Sequence, residues 1–157
     1  MARLWARTTT FESVSEGDQL PILVKWETRE TIGRMVGLVE TGDGARTAVE
    51  RAGCDEDAEN EGSGQPGADD APIQGLLSYV TELLEKGFPL PRIMGAGSAV
   101  SIRSLLPVKA EDTVSLTGQV VGKNSSGALG LVECLISLEN QDQELVAEAK
   151  AVIAFPL

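Results

Sequence analysis

Ile73-Gln74-Gly75-Leu76-Leu77-Ser78-Tyr79-Val80-Thr81-Glu82-Leu83-Leu84 decides the fold, because it places a strongly apolar helix ahead of a succession of strands. Ile73, Leu76, Leu77, Val80, Leu83 and Leu84 recur at helical spacing and form one stripe. Asp70-Ala71-Pro72 opens this helix with an acidic cap residue and a proline in the first turn, and Gly87-Phe88-Pro89 stops it. Beyond it, residues 99–106 read as a strand ending at Pro107, and residues 113–122 alternate Val114, Leu116, Gly118 and Val120. Asn124-Ser125-Ser126-Gly127 predicts a turn, residues 128–139 a strand, Asn140-Gln141-Asp142 a second turn, and residues 144–155 a closing strand. Gly95-Ala96-Gly97 predicts a bend. The expectation is an α+β fold, a meander-like antiparallel sheet with the helix on its concave face.

Upstream, residues 20–26 predict a first strand, and Thr28 caps a helix on which Ile32, Met35, Val36 and Val39 share a face. Thr41-Gly42-Asp43-Gly44 ends that helix, and a short helical piece is expected at 46–52. Residues 53–71 hold Asp55, Glu56, Asp57, Glu59, Glu61, Asp69 and Asp70 with glycines and a proline but no large apolar side chain. This is an acidic, Gly-rich loop or insertion in an otherwise single domain of residues 1–157.

Net charge is −11, and without those seven acids the chain would carry 17 acids against 13 bases. The acidity therefore belongs largely to one segment, a solvated loop rather than a docking surface for a basic partner. It argues against nucleic acid or an anionic membrane as partner. No apolar run reaches the ~18 residues of a membrane span. Residues 1–7 hold two arginines with no apolar core behind them, which predicts no secretory signal. Cys54 and Cys134 suit neither a disulfide framework nor a zinc site, so no metal is expected and a cytoplasmic location is. The P-loop and GxSxG motifs are absent from the sequence.

Ser101-Ile102-Arg103-Ser104-Leu105-Leu106-Pro107-Val108-Lys109-Ala110-Glu111-Asp112-Thr113 resembles the R-F-x-x-P-V-x-x-G-D-T stretch of the MaoC-like proteins, with Glu111 where glycine is usual. Glu16-Gly17-Asp18 and Ala149-Lys150-Ala151-Val152 resemble that family too. The resemblance implies a hot-dog fold, a sheet wrapped around a central helix, that binds acyl-CoA or a related thioester. It also implies enoyl-CoA hydratase or dehydratase chemistry with an Asp/His pair, no cofactor, and a site at the interface of a homodimer or a heteromer of related chains.

The catalytic segment of that family, G-D-x-N-P-x-H, has no intact counterpart, because the chain contains no histidine. Gly42-Asp43 matches its opening; alternatively Asp69 takes the Asp position and Gln74 the His position; or Ile73-Gln74-Gly75 matches the A-H-G that starts the central helix, the preferred placement. Each placement loses the general base, since an amide cannot shuttle a proton as imidazole does. Asp43, Asp69, Asp70 and Gln74 are the candidate catalytic residues, with Asp70 read also as a helix cap and Asp43 as a turn residue. The amides of Gly75 and Leu76, at a helix start, are the candidates to grip a thioester carbonyl. Lys109 and Lys123 are candidate contacts for a CoA phosphate. The chain thus reads as a divergent hydratase or dehydratase or a catalytically degenerate subunit of one. The alternatives are a hot-dog thioesterase, with Asp69, Asp70 or Glu82 directing water, and a structural or acyl-sensing subunit.

Overall fold

The computed structural model describes residues 2–41 and 70–157, with residues 37–41 described in their backbone alone. Asp43, Cys54, Asp69, the helical piece expected at 46–52 and nearly all of the acidic stretch lie outside the described residues. The elements are β1 (Leu23–Trp26), α1 (Arg29–Thr41), α2 (Ile73–Gly87), α3 (Leu90–Ile93), β2 (Ala99–Ser104), β3 (Thr113–Ser126), β4 (Leu129–Glu139) and β5 (Leu145–Pro156). The five strands form one antiparallel sheet in the order β1-β3-β4-β5-β2, leaving β1 and β2 at its edges.

The sheet wraps around α2, as the periodicities require. Leu76, Val80, Leu83 and Leu84 of α2 are buried against the inward residues of the strands, among them Leu116, Ile136, Leu138 and Ile153. Alternation along β4 is regular, with every even-numbered residue from Gly130 to Leu138 buried. On β5 the inward positions are small (Ala147, Ala149, Ala151), which lets neighbouring side chains approach the sheet closely. Ile73 and Leu77, assigned to the same stripe in sequence, are only half-buried.

Several boundaries move for local reasons. The first strand is shorter than expected, because Pro21 cannot donate a ladder hydrogen bond. Leu20 nevertheless donates its amide to Gly118 O at 2.9 Å and wedges its side chain between Gly87 and Gly118, where added Cβ atoms would collide with it. β3 runs to Ser126, past the turn expected at Asn124, because Ser126 pairs with Leu129 across a two-residue loop. Gly127 takes the left-handed φ of 60° that such a loop needs. A bulge between Val120 and Gly122 absorbs one extra residue. β2 ends at Ser104, and the amides of Leu105 and Leu106 both reach Val146 O. The bend at Gly95-Ala96-Gly97 is present, with Gly97 at φ 90°, and follows the short α3 that the periodicity did not reveal.

Glu16-Gly17-Asp18 has a structural task. The buried Asp18 carboxylate accepts from Ala2 N at 3.0 Å and Ser15 N at 2.9 Å, fastening the N-terminal residues to the sheet.

Candidate functional site

Where α2 begins, the backbone departs from the expected capping. Pro72 itself holds the cap position, at φ −68° and ψ 149°, and no side chain caps the helix. Asp70 is therefore not the cap. It is half-buried, and its backbone forms an antiparallel bridge with Lys109, while Ala71 N donates to Val108 O at 2.7 Å. The lead-in to α2 is thus stitched to the turn after β2, and that pairing fixes where the helix starts.

The amides proposed to grip a thioester carbonyl are not free. Gly75 N donates to Pro72 O at 2.9 Å and Leu76 N to the same oxygen at 3.3 Å, and both residues are buried. With Pro72 at the cap, Ile73 is the first helical residue, so the free donors lie two residues before Gly75 and Leu76, at the amides of Ile73 and Gln74. These find no acceptor among the described residues. The Gln74 side chain is exposed. Gly75 lies in close contact with α1: a Cβ there would meet the thioether of Met35, which would have to move aside. Asp43 and Asp69, outside the described residues, cannot be placed beside this helix start.

A polar cluster that the sequence reading missed lies on the same two helices. Glu27, directly after β1, is fully buried. The Thr31 hydroxyl is 3.2 Å from its Oε2, and its Oε1 has no partner among the described residues. Thr28 and Thr31 exchange side-chain-to-amide hydrogen bonds at 2.8 and 3.1 Å, capping α1 as expected. Tyr79 stands beside Glu27, and Lys25 reaches Glu82 at 2.6 Å while lying 5.2 Å from the Tyr79 ring centre. Glu82, one of the carboxylates weighed for directing water, is therefore engaged by an ammonium. A signal existed for Glu27: the period-2 alternation of β1 puts residues 23, 25 and 27 on the inward side.

Burial, the Glu27 carboxylate and, more weakly, Glu82 hold the Tyr79 phenol well above its usual pKa of 10.0. In the unfolded chain the phenol ionises near 10.0, whereas in the native state it stays neutral. Stability drawn from this residue is thus complete below that pH and falls as pH rises above it. Tyr79 is the chain's single tyrosine, so absorbance at 295 nm reads it directly. Native protein should titrate well above the urea-unfolded chain, and coincident titrations would refute this placement.

Other candidates are occupied elsewhere. The Cys134 thiol is pushed up to about 12 by burial, which removes it as a nucleophile. Lys123 donates to Val14 O at 2.9 Å and sits 4.5 Å from the Phe11 ring centre, whereas Lys109 is exposed.

No family model matches the chain, and no curated protein does. Solved structures do. The monoamine oxidase regulatory protein of Archaeoglobus fulgius superposes with a TM-score of 0.66 at 21% identity, over 98% of this chain and 95% of that one. The MaoC-like dehydratase of Rhodospirillum rubrum gives 0.61 at 19% identity, covering 92% and 94%. The HadBC (3R-hydroxyacyl-ACP dehydratase) complex of Mycobacterium tuberculosis gives 0.58 at 16% identity, covering 91% and 98%. The fold shared with these structures is the hot-dog fold.

Proposed function

We propose that this chain is an acyl-thioester-binding hot-dog subunit of the MaoC-like hydratase and dehydratase type that lacks a catalytic base of its own. The observation that carries this reading is the absence of histidine from a chain whose fold neighbours include a dehydratase and a hydroxyacyl-ACP dehydratase complex. The ligand is an acyl-CoA or a related thioester, bound without a further cofactor. Its carbonyl is held at the start of α2 by the amides of Ile73 and Gln74, donors that need no titratable side chain.

The partner is a second hot-dog chain, a copy or a relative, added along β2. Val100 and Ile102 face the core from that edge yet remain half-buried, and Leu105 and Leu106 beyond them are exposed. A chain laid along β2 would cover all four and satisfy the open edge. HadBC is itself named as a complex of two chains, which supports an unequal pair in which the partner brings the base. The absence, among the described residues, of any helix long and apolar enough to cross a membrane agrees with a cytoplasmic setting.

Butyryl-CoA, which cannot be hydrated, tests the binding half by calorimetry. Ile73→Pro removes one free amide at a helix position where proline is well tolerated, and Pro72 already has the extended backbone a following proline needs. Wild type should bind, and Ile73→Pro should bind about tenfold more weakly, ~1.4 kcal/mol for one lost hydrogen bond. No binding by wild type would sink the thioester reading, and equal binding by both proteins would sink the assignment of the amide.

A further inference from the structure

Among the described residues, Glu27 Oε1 is the one buried side-chain oxygen or nitrogen that meets no hydrogen-bond partner. An unmet oxygen on a fully buried carboxylate is among the costliest groups a fold can retain. The rest of the residue is satisfied: its amide donates to Asp112 O at 2.8 Å, its carbonyl accepts from Glu111 N at 2.6 Å, and Oε2 faces the Thr31 hydroxyl. The neighbouring charges are engaged too. Glu82 holds Lys25, and the Asp112 carboxylate accepts from Lys109 N and Gln141 Nε2. The Tyr79 phenol interacts with the carboxylate but lies outside hydrogen-bonding geometry to Oε1.

Glu27 lies at the lower end of a seam between the two helices. Met35 of α1 packs on Gly75 of α2, while one turn earlier on α1 and one turn later on α2, Thr31 and Tyr79 both border Glu27. The helices therefore run antiparallel, and the seam descends ~6 Å, about one turn, from Gly75 to Glu27. Its upper end adjoins the free amides of Ile73 and Gln74. Met35 and Val36 there are half-buried and apolar, and Gly75 has no side chain to fill the space once the thioether swings aside. Methionine suits such a movement, being unbranched and adaptable in shape. The sheet side of α2 is filled by Leu76, Val80, Leu83 and Leu84, all buried, and its outward side carries polar Gln74 and Ser78. The seam leads from the free amides to the unmet oxygen.

We propose that this seam is the acyl pocket of the thioester site, with Met35 as its movable plug, and that the tail it takes ends in a hydroxyl that donates to Glu27 Oε1. The inference rests on the placement of the thioester carbonyl at the start of α2. From that carbonyl to Glu27 is a little over one turn of α2, which sets the tail at about five carbons. A hydroxyl suits the oxygen better than an ammonium does. Lys25 already places an ammonium 5.2 Å from the Tyr79 ring centre, and a second would be stripped of water beside it. A plain alkyl tail of the same length leaves Oε1 unmet, and a longer one runs into the carboxylate. The ligands selected are thus short acyl thioesters with a hydroxyl at the far end. Glu27 touches that far end and not the carbonyl, so its role is recognition.

Calorimetry on the full chain with pentanoyl-CoA and 5-hydroxypentanoyl-CoA tests this. Wild type should bind the hydroxy ligand about tenfold more tightly, the effect of one hydrogen bond to a charged acceptor. Glu27→Met keeps the length of the side chain and removes its acceptors, so it should bind both ligands alike. Met35→Ala should bind both more tightly than wild type and keep the preference, since no thioether has to move. Should circular dichroism show Glu27→Met unfolded, Glu27→Gln retains one neutral acceptor and should cut the preference to about threefold. Equal binding of the two ligands by wild type would overturn the inference and leave the thioester site standing. A preference unchanged in the folded Glu27 variants would do the same. Failure of wild type to bind either of these ligands or butyryl-CoA would remove the thioester site and this pocket with it.

Discussion

Purified alone, the protein should hydrate crotonyl-CoA very slowly or not at all, ~10²- to 10⁴-fold below a histidine-bearing MaoC-like hydratase assayed beside it, the range usually lost with general acid–base help. Hydration requires a water to be deprotonated and the α-carbon to be protonated. The described residues around the start of α2 provide an exposed neutral amide at Gln74, a thioether at Met35 and the half-buried carboxylate of Asp70, and none of them is an imidazole that shuttles a proton near neutrality. Glu27 is sealed between β1 and the two helices, and Glu82 is paired with Lys25. Hydration should appear when a histidine-bearing hot-dog chain is added and should require both chains. Robust hydration by the isolated chain, abolished by Asp43→Asn or Asp69→Asn, would show that a carboxylate suffices and that this chain has not lost catalysis.

Replacing Phe88 by alanine should cost roughly 3–5 kcal/mol, a large share of the 5–15 kcal/mol that holds a typical domain together. Phe88 is fully buried directly after α2, and its amide closes the helix onto Leu84 O at 2.8 Å. Its ring lies 6.2 Å from that of Phe155, which is 6.2 Å from Phe11, so the chain's three phenylalanines form one row from helix end to sheet to N-terminal segment. The alanine variant keeps the capping amide and loses the ring, leaving a cavity that β5 cannot collapse to fill. Urea unfolding reads the difference, and Phe88→Leu should recover part of it. A loss below about 1 kcal/mol for Phe88→Ala would mean that the row is not rigid packing.

The elements most legible in the sequence were those whose pattern repeats. Ile73 to Leu84 announced α2 by its apolar spacing, and the alternation of β3, β4 and β5 announced the sheet, because burial of one face leaves a periodic trace. The absence of histidine was equally plain and excluded an Asp/His pair within this chain without any coordinates. Less legible was everything that depends on a single residue's backbone. Asp70 looked like a cap, yet Pro72 took the cap position once Ala71 and Asp70 were tied to the strand turn at Val108 and Lys109. That pairing joins residues far apart in the chain, and it moved the free amides from Gly75 and Leu76 to Ile73 and Gln74.

The sequence by itself thus determined the fold class, the order of elements, the concentration of acid in one segment and the absence of histidine. These properties follow from composition and from periodicities of two and 3.6 residues, which act locally. Only the tertiary structure decided which amides stay free at the helix start, that Glu27 meets Tyr79 in the interior, that Leu20 needs both Gly87 and Gly118, and that Ile22, Val24 and Trp26 share an uncovered face. These outcomes depend on strand register and helix docking, which join segments distant in sequence; the alternation of β1 sorted its residues by side, and only the packing left the outward side uncovered.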